Sequence, residues 1–241
     1  MIEVKNLQLS IGRRLILQDI NFTLEEEQNL IILGRSGSGK TVLIKSLMGF
    51  YTPDQGIVRV DGADVYSGKN HTQSDHKHDF AMVFQNAALL DSFTVFQNVA
   101  LPLYERGEKD YASVLDKVKR SLAVVGLEET LEKYPSELSG GMRKRVGIAR
   151  ALIYEPRYMI FDEPVSGLDP ITSSEVLYYI TQIIRSVQAT TITITHDIRN
   201  LGDIGDRVLF LEDGRSLYYG PLKDMYKEEH PLIRKFLVQV A

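Results

Sequence analysis

One stretch decides the fold: Gly34-Arg35-Ser36-Gly37-Ser38-Gly39-Lys40-Thr41. It fits the pattern G-x-x-x-x-G-K-[ST], with an apolar run, Asn29 to Leu33, before it and a helical stretch, Thr41 to Met48, after it. In this pattern the glycines let backbone N–H groups surround the β- and γ-phosphates of a nucleotide, next to the positive end of a helix. Lys40 is predicted to bridge the phosphates, and the Thr41 hydroxyl to bind Mg²⁺. The alternative is a glycine-rich turn with an accidental Lys-Thr, and the flanking elements disfavour it.

Further apolar runs along the chain end in polar residues, as the strands of a buried parallel sheet do. They are Phe80 to Phe84 before Gln85, Tyr158 to Phe161 before Asp162-Glu163, and Thr190 to Thr195 before His196. Ligands bind at the C-terminal ends of strands in open α/β sheets. The polar residues that end these runs are therefore candidates for a functional site.

The remaining sequence predicts one α/β domain, residues 1–241. Its core is predicted to comprise residues 1–85 and 157–220. Within this core, residues 2–24 alternate apolar and polar side chains around Gly12-Arg13, a pattern that predicts an antiparallel β region. Residues 86–156 are predicted to form an inserted helical subdomain. Residues 221–241 are predicted to form a tail of two short helical pieces separated at Pro231.

The overall composition excludes several classes of protein. A net charge of -4 argues against nucleic acid as the main partner, because such proteins carry a basic face or stripe. The absence of cysteine excludes disulfides and thiolate metal sites, and it is compatible with the cytosol. No signal pattern and no apolar run of about 18 residues is present. We therefore expect that any membrane is reached through a partner.

Asp162 and Glu163 are adjacent carboxylates at the end of an apolar strand. Successive residues of an extended chain point to opposite sides, so the two side chains can have separate roles. Asp162 is predicted to hold the Mg²⁺ shell, and Glu163 to orient and deprotonate the attacking water. A surface acidic pair is an equally good interpretation of these two residues alone, and the nearby phosphate-loop motif favours the catalytic one.

Leu138-Ser139-Gly140-Gly141-Met142 precedes an amphipathic helix whose N-cap is predicted to be Ser139. The run Arg143-Lys144-Arg145 falls in the first turn, where cations oppose the helix dipole. We expect an anion at the start of this helix to compensate. An ordinary capped surface helix is the alternative if the segment is considered alone.

These motifs, in this order, resemble those of the ABC ATPase family. Leu138 to Met142 is similar to its signature motif, Gln85 to its Q-loop, Ser166-Gly167-Leu168-Asp169 to its D-loop and His196 to its switch histidine. The resemblance covers nearly the whole chain. It implies an ABC ATPase fold with a P-loop core sheet, an N-terminal antiparallel β region and an inserted helical subdomain.

The resemblance also implies a mechanism with two subunits. In this family the signature motif of one subunit covers the ATP held by the phosphate loop of the other, so a homodimer is expected. ATP binding is assigned to residues 34–41 with Ser139, Gly140 and Gly141. Catalysis is assigned to Glu163, His196 and Gln85, and Mg²⁺ binding to Thr41, Gln85 and Asp162. The expected function is ATP hydrolysis that drives an integral membrane permease from the cytoplasmic face of the inner membrane.

Two positions depart from the family pattern. The family stacks adenine on an aromatic residue just before the early glycine, whereas this chain has Leu9-Ser10-Ile11-Gly12. Stacking on an aromatic ring is worth about 1–3 kcal/mol at nucleic-acid sites, so weaker selectivity for adenine is expected. The signature motif ends in Met142, where glutamine is commoner.

Met142 points to one branch of the family. Together with Leu90 to Leu103, Gly167 to Thr172 and His230 to Leu237, it resembles the branch that powers Mce/Mla-type lipid transporters of bacterial envelopes and plastids. The resemblance implies a lipid cargo and a lipid-binding accessory subunit, with the plastid inner envelope as a second location. Amino acids, metals or drugs remain alternative cargoes. A soluble ABC ATPase or a non-hydrolysing binding module is disfavoured.

Two surface features allow two interpretations each. Phe93, Val95 and Phe96 form either an apolar socket for a permease helix or part of the subdomain's own core. His71, His76 and His78, with Asp75 and Asp79, form either a zinc or nickel site or a solvated loop, and a solvated loop is favoured.

Overall fold

The computed structural model describes residues 1–67, 79–186, 189–196 and 204–240. These residues form two compact units, Met1–Phe80 with Thr190–Ala241, and Ala81–Ala189. The strands are β1 Ile2–Ile11, β2 Arg14–Leu24, β3 Asn29–Leu33, β4 Gln55–Val60, β5 Ala63–Asp64, β6 Phe80–Val83, β7 Tyr158–Asp162, β8 Thr190–Thr195, β9 Arg207–Glu212 and β10 Arg215–Pro221. The α-helices are α1 Lys40–Leu47, α2 Val95–Glu105, α3 Tyr111–Val124, α4 Gly140–Leu152, α5 Pro170–Ser186, α6 Leu222–Met225 and α7 Pro231–Val240.

The first unit contains the predicted antiparallel region. Its strands are ordered β2-β1-β4-β5, and β1 and β2 pair from Ile2 opposite Leu24 to Ile11 opposite Arg14. The turn between them holds Gly12, with a φ of 63°. The apolar residues Ile2, Val4, Leu7 and Leu9 of β1 are buried, and the strand ends at the exposed Ile11.

The first unit also contains parallel strands. β3 pairs in parallel with β8 on one side and with β9 on the other, while β9 and β10 form an antiparallel hairpin. Residues 30–33 and 190–195 are all buried, as expected of strands covered on both faces. Leu33 lies opposite Thr195, so the chain leaves both strands at the same edge of the sheet. Gly34 and His196, the residues that follow these strands, therefore lie at that edge.

The C-terminal part of the first unit contains the helices α6 and α7. α7 begins at Pro231, because proline at the first helical position loses no intrahelical hydrogen bond. Ile233 and Phe236 are buried, and the Phe236 ring packs edge-on against Phe210 with 5.0 Å between centroids. This contact fixes α7 to β9.

The second unit combines helices with two strands. Helices α2, α3 and α4 pack against one another, and α5 packs against α4. β6 and β7 are neighbours in a sheet. Thr94 and Gln97 form a capping box at the start of α2, as their side chains each accept from the other residue's backbone N–H. The α/β fold class is confirmed, while the boundaries set at 86–156 and 221–241 stay a prediction.

No helix within the four described segments is long and apolar enough to cross a membrane.

Candidate functional site

The loop from Gly34 to Thr41 connects β3 to α1, and at two of its three glycines there is no room for a side chain. A Cβ at Gly34 would lie 2.1 Å from the Leu211 carbonyl oxygen. At Gly39, the N-cap of α1 with a φ of 105°, it would lie 2.8 Å from the Leu17 side chain. At Gly37, with a φ of 82°, it would meet no described atom within 4 Å. The loop is thus tightly packed at Gly34 and Gly39 and open at Gly37.

Two side chains of this loop indicate what it can hold. Lys40 is buried, and its Nζ donates to the carbonyl oxygens of Gly34 at 2.7 Å and Arg35 at 2.9 Å. The Ser38 hydroxyl is also buried and has no hydrogen-bond partner in the described parts of the chain. An unpartnered buried hydroxyl is rare and calls for an explanation such as a ligand. The loop therefore fits an oxyanion such as a nucleotide phosphate. Thr41, the predicted Mg²⁺ ligand, is exposed at the start of α1.

The β9–β10 turn supports the loop from the side. The Gly214 N–H donates to the Ser38 carbonyl at 3.1 Å, and the Gly214 carbonyl accepts from the Gln18 N–H at 2.8 Å. Glu212 pairs with Arg35 at 3.5 Å. Sequence analysis missed this turn, although Asp213-Gly214 between two apolar runs is a strong hairpin signal.

The exposure of the side chains before Gly12 indicates which of them can contact the base of a nucleotide. Leu9 is fully buried and cannot reach a ligand. Ile11, the other aliphatic candidate, is 42% exposed at the end of β1 and can reach one. Ile16 borders the loop, because its Cγ2 lies 3.8 Å from the position of a Cβ on Gly39. Sequence analysis did not single out Ile16.

In the second unit, Glu163 follows β7 with a φ of 49°, in the left-handed region. Its carbonyl accepts from the Ser166 N–H at 3.1 Å. The side-chain amide of Gln85 donates to the Ser166 hydroxyl at 3.1 Å. The structure thus brings Gln85 and Glu163, predicted from separate motifs, into one cluster with Ser166.

The signature segment has the predicted N-cap. The Ser139 side chain accepts from the Met142 N–H at 3.2 Å. A Cβ at Gly141 would lie 2.4 Å from the Thr172 methyl group, and one at Gly140 would lie 3.2 Å from the Leu168 side chain. Both glycines are therefore explained by close packing against the segment that begins α5, whatever else they bind.

The cations that follow have partners within the described part of this unit, so their charges alone do not indicate an anion, and the anion expected at the helix start stays a prediction. Arg143 donates to the Leu138 carbonyl at 2.6 Å. Arg145 is buried, donates to the Val125 carbonyl at 3.0 Å and pairs with Glu175 at 3.1 Å. Lys144 is buried and donates to the carbonyl oxygens of Gln85 and Glu163. Burial lowers the pKa of Lys144, and the nearby charges of Glu163 and Asp162 oppose this shift.

The segment after Gln85 is held in an uncommon conformation. Ala87 and Ala88 have φ angles of 58° and 48°. The Arg150 guanidinium donates to both of their carbonyls, at 2.6 Å and 2.8 Å. Gly147 allows α4 to approach, since a Cβ there would lie 3.2 Å from that of Ala87. Sequence analysis gave Arg150 no role.

Two further expectations concern the apolar residues around Val95 and the histidine-rich segment. Val95 is fully buried, so the core interpretation holds for this residue. Phe93 and Phe96 are half-buried, and the Phe96 ring is tilted by 55° against that of Tyr111 with 5.6 Å between centroids, so the apolar socket stays a prediction for these two residues. The histidines at 71, 76 and 78 and Asp75 lie outside the described residues. Elsewhere, the described residues hold no group of three or more His, Asp or Glu side chains placed to bind a metal.

A G-x-x-x-x-G-K-[ST] loop between a parallel strand and a helix, as residues 34–41 form here, defines the class of P-loop nucleotide-binding proteins. Residues 17–166 match the family described as "ABC transporter". The chain belongs to this family.

Two curated relatives show the range of cargo names in the family. The probable ribonucleotide transport ATP-binding protein mkl of Mycobacterium tuberculosis is 35% identical over 236 residues, which cover 98% of this chain and 66% of the relative. The methionine import ATP-binding protein MetN of Carboxydothermus hydrogenoformans is 37% identical over 241 residues, covering 98% and 71%. The chain thus spans slightly less than two thirds of the mkl relative.

Solved structures confirm the ABC ATPase fold. The structure of cbiO1 from Clostridium perfringens, part of the ABC transporter complex cbiONQ, has a TM-score of 0.86 and 27% identity, covering 99% of this chain and 95% of that one. A dimeric post-hydrolysis state of an ATP-binding cassette, bound to ADP and Pi, has a TM-score of 0.79 and 27% identity, covering 92% and 99%.

Proposed function

We propose that the chain hydrolyses ATP as one of two identical subunits and thereby drives a membrane permease. The observation that carries the proposal is the Gly34–Thr41 loop with its buried, unpartnered Ser38 hydroxyl and its buried Lys40. Backbone N–H groups, a hydroxyl and an ammonium at a helix N-terminus are the groups that bind nucleotide phosphates in P-loop proteins. The dimer is supported by the cassette dimer of similar fold.

Each candidate residue has a proposed role. Gly34 to Thr41 bind the ATP of their own subunit, and Ser139, Gly140 and Gly141 contact the ATP of the other subunit. Glu163 takes the proton of the attacking water, and His196 contacts the γ-phosphate. Gln85 orients the groups that surround the attacking water. Thr41, Gln85 and Asp162 would hold Mg²⁺, since hydroxyl, amide and carboxylate oxygens are the ligands it takes. When bound, Mg²⁺ neutralises charge on the phosphates.

Substitution of Glu163 tests this proposal. Glu163→Gln keeps the shape of the side chain and removes the base, so hydrolysis should fall about 10²- to 10⁴-fold while ATP still binds. Turnover should be measured in the complete transporter, and binding by titration calorimetry. Glu132→Gln, at an exposed glutamate of the same unit, is the matched control and should keep normal turnover. Near-normal turnover of Glu163→Gln would refute the role of Glu163.

The contact with the permease is proposed at a groove in the second unit. A cavity of about 780 Å³ opens between the end of α2, α3 and the end of α4. Its lining mixes charged groups, Arg106, Glu108 and Lys117, with the apolar surfaces of Leu103 and Val124. A cytoplasmic helix of a permease, with apolar and charged side chains, is the occupant that this lining suits. The cytoplasmic face of the inner membrane is the corresponding location, and the relatives give no support to a plastid.

The proposed cargo is lipid. It is supported by Met142 and by the segments Leu90 to Leu103 and His230 to Leu237, which resemble the lipid-transporter branch. The accessory subunit would then be an Mce-type lipid-binding protein. Methionine or another amino acid is the second candidate, because a relative named for methionine import is 37% identical.

A further inference from the structure

Lys144 occupies a position that no motif assigns. It lies on α4, close to the signature segment, and only 6% of its surface is exposed. Its Nζ donates to the backbone carbonyl of Gln85 and, at 3.4 Å, to that of Glu163. One buried ammonium thus joins two residues that lie far apart in sequence.

These bonds belong to a closed ring. The Glu163 carbonyl also accepts from the Ser166 N–H at 3.1 Å, and the Ser166 hydroxyl accepts from the Gln85 side-chain amide at 3.1 Å. The ring therefore includes both the backbone and the side chain of Gln85. A shift of any member changes the position of the others.

The ring matters because of the backbone of Glu163. With a φ of 49°, this residue is in a conformation that costs a non-glycine residue about 1–2 kcal/mol. The direction of its Cα–Cβ bond depends on that conformation, and two hydrogen bonds to the Glu163 carbonyl hold it. The Lys144 ammonium carries three donors and no acceptor, which suits a site formed by several carbonyl oxygens.

We propose that Lys144 is a positioning residue for ATP hydrolysis: through the carbonyls of Gln85 and Glu163 it fixes where their side chains point. The proposal rests on the proposed function of Glu163. Its neighbours on α4 do not share the role, because Arg143 donates to Leu138 and Arg145 donates to Val125.

The test compares two substitutions in the complete transporter. Lys144→Met keeps the length of the side chain without its donors, and kcat should fall by about 10²-fold, the loss expected when a reacting group is misplaced by about 1 Å. KM for ATP should change little, because Lys144 does not bind the nucleotide. Lys144→Arg restores donors and should recover part of the lost kcat. Lys119→Met, at an exposed lysine of α3, is the control and should behave as wild type.

A double substitution separates this proposal from the role of Glu163. If Lys144 acts through Glu163, Lys144→Met should lower the residual turnover of Glu163→Gln little further. An unchanged kcat in Lys144→Met, or the same loss in both backgrounds, overturns the positioning role. Normal turnover of Glu163→Gln alone would instead overturn the proposed function. If Lys144→Met does not fold, Lys144→Gln, with a shorter neutral donor, carries the test: reduced kcat at similar KM supports the proposal, and unchanged kcat overturns it.

Discussion

At the scale of single residues, Ile11 is the candidate for contacting the base of the nucleotide. It is 42% exposed at the end of β1, whereas Leu9 beside it is fully buried. An aliphatic side chain can contact adenine, but it lacks the aromatic ring on which a base stacks. We therefore expect modest discrimination between ATP and GTP.

Ile11→Tyr tests whether this position faces the base. If it does, the new ring should strengthen ATP binding by about 1 kcal/mol or more, measured by titration calorimetry. Leu15→Tyr is a matched control, because Leu15 is 43% exposed on the neighbouring strand β2. Unchanged affinity for Ile11→Tyr would mean that adenine is held elsewhere, and a gain in Leu15→Tyr would indicate where.

Sequence predicted individual residues well where the signal is local. The Ser139 N-cap depends on its neighbours in the chain, and the structure confirms it. The loop glycines were identified from the spacing of a local motif, although the atoms that crowd Gly34 and Gly39 belong to the distant residues Leu211 and Leu17. The contacts of Lys144 depend on Gln85 and Glu163, which approach only in the folded unit. The charge of Lys144 was visible in the sequence, but the two carbonyl oxygens to which its ammonium donates were not.

At the scale of elements, the β9–β10 hairpin is the part of the fold with the clearest effect on the phosphate loop. Its Gly214 has a φ of 75°, and a Cβ there would lie 2.1 Å from the Ile16 carbonyl oxygen. The same residue is hydrogen-bonded to Ser38 and Gln18. The hairpin thus sets the distance between β2 and the loop.

Gly214→Ala should disturb both stability and nucleotide binding. We expect a loss of about 3 kcal/mol in the free energy of unfolding, since a buried backbone clash adds to the cost of the left-handed conformation. Gly62→Ala is the control, with a φ of 80° and no described atom within 4 Å of the new Cβ, and should cost about 1 kcal/mol. Denaturant unfolding and ATP titration of both variants measure the difference. Equal losses would show that the contact with Ile16 is easily relieved.

The elements themselves were predicted with uneven success. Continuous apolar runs indicated β3, β7 and β8, and Pro231 indicated the start of α7, because these signals lie within each element. The β9–β10 hairpin was missed. The placement of β3 between β8 and β9 joins strands from distant parts of the chain, which periodicity does not report.

At the scale of the whole molecule, the candidate residues are divided between two units. The Gly34–Thr41 loop and His196 belong to the first, and Gln85, Ser139, Asp162 and Glu163 to the second. The order of motifs along the chain was enough to predict the family, which the match over residues 17–166 confirms. The cargo is not determined by these motifs, because relatives of similar identity are named for different cargoes, ribonucleotides and methionine.

Isolation of the complex from its native membrane tests the cargo. If the cargo is lipid, the chain should co-purify with a permease and a membrane-anchored lipid-binding subunit, and its depletion should change the phospholipid distribution. The surface expected to retain the permease is the groove lined by Arg106 and Lys117. A soluble amino-acid-binding subunit in the complex, with unchanged lipids on depletion, would favour the methionine-type alternative. The ATPase proposal would be unaffected.

The left-handed pair Ala87 and Ala88 makes the conformation of the segment after Gln85 depend on one side chain. Each alanine is about 1–2 kcal/mol less stable there than in the right-handed region, and the two bonds from Arg150 offset this cost. Without the guanidinium the same backbone would carry that cost uncompensated, which would favour the right-handed region for both alanines. Arg150 on α4 therefore selects the conformation of a segment that lies far from it in the sequence.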